Sequence, residues 1–202
     1  MGKVIIDMTM SIDGFVAGPE DGRKNGLGNR DGVHLHDWLF NGTSVNRHNP
    51  FFKTKAVSLP VVNRMIKDTG AMIFGRRTYD ITNGWNGSHP IPNLLIFILT
   101  HHPPKKVPVG NTTFVFVGDG IKSAVTQAKK AAGKKDVLIQ GASVCQQALQ
   151  EGLVDELLLH IANRVMGKGV PLFESAGTYF GSLKRIECIA APDVTHLRYK
   201  VG

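Results

Sequence analysis

The sequence predicts an α/β fold: a mostly parallel central sheet flanked by helices and closed by a C-terminal antiparallel hairpin. Three observations carry this expectation. Leu94 to Leu99 is a continuous run of Leu, Ile and Phe, and Thr113 to Val117 is a second apolar run. Strands apolar on both sides belong to sheets covered on both faces. Strand-like and helix-like segments alternate from residue 59 to 162, the pattern of parallel strands joined by helical crossovers. The end differs: Leu197, Tyr199 and Val201 alternate with His196, Arg198 and Lys200, the period of a half-buried strand. A chain of 202 residues is sized for a single domain spanning 1–202.

Val4 to Met8 is the expected first strand. Ser11-Ile12-Asp13-Gly14 turns the chain, and Gly18-Pro19 to Gly32 is a glycine-rich loop long enough to serve as a lid or substrate loop. Val33 to Phe40 reads as a short helix with Val33, Leu35, Trp38 and Leu39 on an uneven apolar face, and Asn41 to Pro50 reads as loop. Leu59 to Thr69 follows as a helix stopped by Gly70, then Ala71 to Phe74 as a strand. Ile121, Ala124, Val125, Ala128 and Ala132 recur at helical spacing, with Lys122, Lys129 and Lys130 on other positions. Val137 to Ile139 is a strand. Val144, Cys145, Ala148 and Leu149 mark a helix stopping near Gly152, and Asp155 to Ala162 is the next strand. Gly181 to Ala190 and Val194 to Val201, separated by Ala191-Pro192-Asp193, form the hairpin at the sheet edge.

Composition narrows the function. Hydrophobic types make up 42% and charged types 20%, ordinary for a globular chain. No apolar run approaches the length of a membrane span. The start reads as a strand and not as a signal peptide, because Asp7 interrupts its apolar stretch. Gly2 is followed at position 6 by Ile, where myristoylation requires Ser or Thr. Cys145 and Cys188 cannot build a disulfide framework, so free thiols and a cytoplasmic location are expected. His34 and His36, and His101 and His102, have no metal-ligand spacing, so no metal is expected. The net charge is +8, and residues 101 to 135 hold seven lysines against Asp119. A solvated helix face with its loop accounts for that excess; so does a positive field that draws in a phosphorylated ligand. Nucleic acid is not an expected partner, because the lysines are not interleaved with aromatics and no helix-turn-helix, finger or single-strand-binding signature occurs.

Neither of two common nucleotide motifs is intact. Gly26-Leu27-Gly28 is followed by Asp31 where the third glycine of GxGxxG belongs, and no GxxxxGK[ST] occurs. Three strand-end junctions remain. At Gly75-Arg76-Arg77-Thr78-Tyr79 a helix start and a guanidinium would suit a phosphate, or the arginines are merely solvated. Thr100-His101-His102 follows the apolar strand, where open α/β sheets bind ligands, although either histidine can equally be structural. At Gly141-Ala142-Ser143-Val144, glycine lets backbone approach a ligand and the helix start favours an anion; plain helix capping is the alternative. Three such junctions on one sheet edge point to a phosphate-bearing cofactor. Met166-Gly167-Lys168-Gly169 is either a tight turn or a loop beside a ligand.

Taken in order, these segments resemble the dihydrofolate reductase superfamily, and more closely its branch containing the reductase domain of the riboflavin-biosynthesis deaminase-reductase and stand-alone bacterial relatives. The resemblance starts at Met8-Thr9-Met10-Ser11-Ile12-Asp13-Gly14-Phe15 and continues through Gly75-Arg76-Arg77-Thr78-Tyr79, Phe97-Ile98-Leu99-Thr100 and Gly141-Ala142-Ser143. It closes with Gly152-Leu153-Val154-Asp155-Glu156-Leu157 and Gly167-Lys168-Gly169-Val170-Pro171-Leu172-Phe173. The order and strand context carry it, not any single segment. This chain departs from the branch at Ala142, where a second glycine is usual, and at Asn163-Arg164, where an apolar pair is usual.

The resemblance implies NADPH bound across the sheet. Gly75, Arg76 and Thr78 would hold the pyrophosphate and adenosine side, with Thr100 and His101 near the 2'-phosphate or adenine. Gly141, Ala142, Ser143 and Val144 would contact the pyrophosphate and pass beneath the nicotinamide, flanked by Thr9 and Gly14. It also implies a homodimer paired through the C-terminal hairpin. The expected reaction is hydride transfer to a small pterin-like or aminopyrimidine-like heterocycle, such as 5-amino-6-(5-phosphoribosylamino)uracil or dihydrofolate. Asp37 is the candidate proton donor, followed by Asp31 and His36. Two alternatives stand beside it: a broad reductase of small carbonyl, quinone or nitro compounds, and a non-catalytic nucleotide-binding protein.

Overall fold

The run ending at Leu99 becomes a strand buried from both sides, whereas the run Thr113–Val117 becomes an edge strand that is half-buried along most of its length. The computed structural model describes residues 2–174 and 181–202. β1 (Val4–Met10) leads to the short β2 (Phe15–Ala17), a 3-10 turn over Arg30–His34, and α1 (Asp37–Phe40). β3 (Ser44–Val45) and β4 (Lys53–Thr54) pair with each other. A 3-10 turn over Ala56–Ser58 runs into α2 (Leu59–Asp68), then β5 (Thr69–Gly75), α3 (Arg76–Ile81), β6 (Leu95–Leu99) and β7 (Thr113–Val117). The rest is α4 (Ile121–Ala132), β8 (Asp136–Gln140), α5 (Ala142–Gln150), β9 (Glu156–Ala162), β10 (Val170–Pro171), β11 (Leu183–Ala190) and β12 (Val194–Val201).

Among the described residues eight strands form one sheet in the order β11-β12-β9-β1-β8-β5-β6-β7. β1 lies between β8 and β9, parallel to both, and β5, β6 and β7 extend the parallel part. β12 and β11 add the antiparallel end as expected. One face packs Ile6, Ile73, Phe97 and Ile139 under α4 and α5 through Ala124, Ala128, Val144 and Ala148. The other packs Ile5, Met72, Phe74, Ile96 and Ile98 against Trp38, Val62 and Tyr79. Each large apolar side chain so buried contributes about 1.5–3 kcal/mol, which is why the run of β6 folds as an inner strand, while β7 closes the sheet at its edge.

Four local expectations are corrected. Val33 to Phe40 is not one helix: the 3-10 turn stops at His34, and α1 begins at Asp37 after His36 takes φ −101°, ψ 11°. Asn41 to Pro50 is not all loop, since β3 lies within it. Gly70 does not stop α2. The helix yields to β5 at Thr69, whose hydroxyl donates to the Met65 carbonyl at 2.6 Å. Gly70 is small because a Cβ there would lie 2.8 Å from the Ala132 Cα. His196, expected on the polar face of its strand, is 1% exposed; the layer carrying Trp38 and Ser58 covers that face. β2 and β10, at three and two residues, are too short to show a period.

The Met166 to Gly169 cluster is a turn pinned from a distance. The Asp13 carboxylate accepts the N–H groups of Met166 at 3.1 Å and Gly167 at 2.6 Å. The Ser11 hydroxyl, 2.6 Å away, with these amides holds that acid down at about 2. Cys145 is buried and Cys188 exposed, both as free thiols. No helix among the described residues is long and apolar enough to cross a membrane.

Candidate functional site

Parallel strands deliver their carboxyl ends to one edge of the sheet, where ligands bind in open α/β folds. β5 and β8 are neighbours, so the turns that leave them meet. Gly75 precedes α3 and Gly141 precedes α5, neither helix start carrying a side-chain cap. Gly141 has φ +103°, and a Cβ on it would stand 3.2 Å from Thr78 Oγ1. A Cβ on Gly75 would stand 3.1 Å from Val144 Cγ2. The chain therefore brings two bare backbone turns together, each packed too closely on its neighbour to carry a side chain freely.

These turns border a cavity of about 730 Å³. Thr9, Gly75, Thr78, Gly141, Ala142, Ser143 and Val144 line it, and so does Asp37. Gly14, Arg76, Thr100 and His101 do not. Gly14 instead uses its carbonyl to accept the Leu172 N–H at 3.0 Å. Arg76 borders a second hollow of about 260 Å³ together with Arg23, Asp80 and Lys106. Its Nε–H donates to Asp80 at 3.0 Å and its Nη1 bonds the His102 carbonyl. Thr100 accepts the His102 N–H at 3.1 Å, and His101 is exposed. β6 lies one strand further from β8 than β5 does, so its turn lies outside the cavity wall and is joined to α3 through the bond from Arg76 to the His102 carbonyl.

The remaining walls are aromatic. Trp38, Phe40, Phe51, Phe52, Phe74 and Trp85 line the cavity, with Phe74 and Trp85 centred 4.8 Å apart and Phe51 and Phe52 5.3 Å apart. The glycine-rich loop closes one side through Asp21, Gly26 and Leu27. Arg77 ties it down by donating from Nε to Asp21 Oδ2 at 2.8 Å, and Arg23 reaches Asp80 at 3.2 Å.

Asp37 sits at the start of α1 with its side chain 38% exposed. Its carboxylate meets His34 Nδ1 at 3.0 Å and accepts from Asn41 Nδ2 at 2.9 Å. Asp31 lies outside the described side chains. His36 lines the cavity, and its Nδ1 is sealed from solvent without a hydrogen-bond partner among the described residues. Burial lowers that imidazole to about 4.

Sequence patterning missed the deepest polar group on the cavity wall. Asp7 and His160 are 4% and 2% exposed and bonded at 3.0 Å. The available signal was a carboxylate inside an otherwise apolar first strand, since a buried charge must be paired.

Residues 2–191 match the family described as the RibD C-terminal domain. The chain belongs to the RibD C-terminal domain family. It is thus a reductase of the riboflavin-biosynthesis type, which sets aside the non-catalytic alternative. Among solved structures it is similar to a putative riboflavin biosynthesis protein from Shewanella sp. PV-4, 20% identical over 99% of each chain with a TM-score of 0.66. It is also similar to a diaminohydroxyphosphoribosylaminopyrimidine deaminase/5-amino-6-(5-phosphoribosylamino)uracil reductase from Thermotoga maritima. That likeness is 13% identical, with a TM-score of 0.65, over all of this chain and 57% of the other. A dihydrofolate reductase from Enterococcus faecalis in complex with NADP(H) is 12% identical with a TM-score of 0.50, over 71% of this chain and 81% of that one. The structural overlap shows a shared dihydrofolate reductase-like fold.

Proposed function

We propose that this RibD-family reductase uses NADPH to reduce an aminopyrimidine-like or pterin-like heterocycle. The observation that carries the reading is the meeting of Gly75 and Gly141 beside one cavity, each at a place where a Cβ would crowd a neighbour. That cradle fits a dinucleotide. Gly75, Thr78 and the start of α5 at Ala142 and Ser143 would hold the pyrophosphate, with Arg76, Thr100 and His101 on the adenosine side. Thr9 and Val144 would border the nicotinamide, with Gly14 behind the cavity wall. When bound, NADPH supplies the hydride. The protein's own part is to orient the heterocycle between the aromatic walls and to exclude water with the Gly18 to Gly32 loop. A cytoplasmic homodimer belongs to the same proposal: β11 is an open sheet edge whose Leu183 and Ile186 are exposed.

A second reading is favoured by one observation. Arg77, a cation on the cavity wall, is engaged by Asp21, and burial keeps His36 and His89 neutral near pH 7. Among the described lining residues no free Lys or Arg waits for a ribose phosphate, which suits small unphosphorylated carbonyl, quinone or nitro compounds.

The test is an NADPH titration of the wild type and Gly141→Ala, followed by turnover of 5-amino-6-(5-phosphoribosylamino)uracil, dihydrofolate and menadione. Saturable NADPH binding is expected, weakened at least tenfold in Gly141→Ala. Absence of NADPH uptake by the folded wild type would sink the reading. Turnover of menadione without the heterocycles would select the second one.

A further inference from the structure

One buried assembly plays no part in the fold's apolar packing or in the cofactor cradle. Asp7 on β1, His160 on β9, His196 on β12 and Ser58 before α2 form an unbroken polar chain. Asp7 Oδ1 lies 3.0 Å from His160 Nε2, His160 Nδ1 lies 2.7 Å from His196 Nδ1, and His196 Nε2 lies 2.9 Å from Ser58 Oγ. The four residues are 4%, 2%, 1% and 0% exposed, in that order. His160 and His196 are directly paired across β9 and β12. The Trp38 ring covers both, at centroid distances of 4.6 and 4.9 Å. Asp7 and His160 reach the cavity wall.

The geometry is satisfied by one set of tautomers once Asp7 has given up its proton. The carboxylate then only accepts, so His160 Nε2 donates to it. His160 Nδ1 accepts from the Nδ1–H of His196, and His196 Nε2 accepts from the Ser58 hydroxyl. Each donor points one way, toward the carboxylate. Such an arrangement orients one carboxyl and stabilises its anion by a charge-assisted bond.

We propose that Asp7 is the catalytic acid of this reductase, with His160 and His196 as positioning residues that aim its carboxyl and hold the carboxylate left after proton transfer. The proposal rests on the reductase reading and deepens it. Hydride adds to the carbon of a polarised C=N or C=O bond of the substrate, and the π electron pair moves to the heteroatom. A new N–H or O–H bond forms there as the Asp7 O–H bond breaks. The substrate gains two electrons, which a bound reduced nicotinamide would supply with the hydride, and a proton from solvent, relayed by water, restores the Asp7 carboxyl.

The groups facing Asp7 are His160, His36 and, from α5, the Cys145 thiol; His196 faces His160 and Arg64. Burial lowers His36 to about 4 and His196 to about 3, and it raises the Cys145 thiol. Asp37, by contrast, stands at the rim with His34 and Asn41 already on its oxygens.

The experiment compares wild type, Asp7→Asn, His196→Gln and Asp37→Asn. NADPH oxidation is followed across pH 5–9 with 5-amino-6-(5-phosphoribosylamino)uracil and menadione as probes. Asp7→Asn should lose about 100-fold or more in kcat and the wild-type pH dependence, with its NADPH affinity and KM close to wild type. His196→Gln should displace the pH profile of kcat and leave KM in place. A structural role alone would move thermal stability without moving that profile. Independently of turnover, two-bond ¹H–¹⁵N spectra of the wild type at pH 8 should show His160 protonated at Nε2 and His196 at Nδ1. The opposite tautomers would overturn the proposal, as would Asp7→Asn with wild-type kcat, or loss confined to Asp37→Asn. Should Asp7→Asn not fold, the His196→Gln profile and the wild-type spectra decide. A wild type that binds no NADPH and reduces neither probe fails the reductase reading itself; a working wild type with a working Asp7→Asn fails the acid assignment alone.

Discussion

Three imidazoles are held uncharged by their burial, and that has a cost in acid. The values of His36 and His89 are lowered from 6.5 to about 4, and that of His196 to about 3, with desolvation the largest cause in each. Below pH 6.5 the unfolded chain takes up protons that the folded chain refuses. The stability these residues contribute is therefore complete above pH 6.5 and lost as pH falls toward 4 and 3. Each unit of depression corresponds to about 1.4 kcal/mol. Urea denaturation should give a constant midpoint from pH 8 to 7 and a steep decline between pH 6 and 4; a flat midpoint to pH 4 would contradict the burial of these rings. At this scale the sequence was informative about the turns that leave β5 and β8. Gly75 and Gly141 were legible because glycine at a strand end announces close approach. The Asp7–His160–His196 chain was not, because its bonds join residues 153 and 36 positions apart. Only the finished sheet, which sets β1, β9 and β12 side by side, puts them in contact.

Elements were legible where their pattern was regular. β6 and β7 matched their apolar runs nearly to the residue, and α4 matched its helical spacing from Ile121 to Ala132. The stretch from Val33 to Phe40 failed because its apolar face was uneven. Leu35 is fully buried beside Ala162 and Met166, whereas Trp38 packs in a separate cluster with Leu39, Phe52 and Leu158, and no single helix satisfies both. The same logic locates α2. Arg64 clamps Glu187 of β11 with two bonds, 2.9 Å from Nη1 to Oε1 and 2.6 Å from Nη2 to Oε2, tying the helix after Ser58 to the antiparallel end. The pair is 35% and 28% exposed, so solvent screening limits its worth to about 0.5–1 kcal/mol. A double-mutant cycle of Arg64→Ala and Glu187→Ala should recover a coupling of that size, and no coupling would show the clamp to be slack.

The whole molecule is polarised. Strand carboxyl ends, both glycine turns and the lid loop gather at one edge of the sheet, while the hairpin extends the sheet sideways at β11. Ile186 on that outermost strand is 48% exposed. If two copies join there, Ile186→Lys should convert a dimer to a monomer by light scattering at micromolar concentration, with the far-UV spectrum unchanged. A dimer that persists would move the interface elsewhere. The parallel order and the antiparallel end were legible because the change from continuous to alternating hydrophobicity is a whole-chain pattern. The pairing of β2 with β10 was not, since it depends on the Asp13 carboxylate drawing the Met166–Gly167 turn across the molecule.

Trp38 touches two imidazoles at once while its own N–H donates to Thr9 at 3.2 Å. An indole's emission is quenched by an imidazolium in contact and far less by a neutral ring. The protein has consequently been given an optical gauge beside its deepest acid, one that brightens or dims with the charge state of that pair and requires no label to be read.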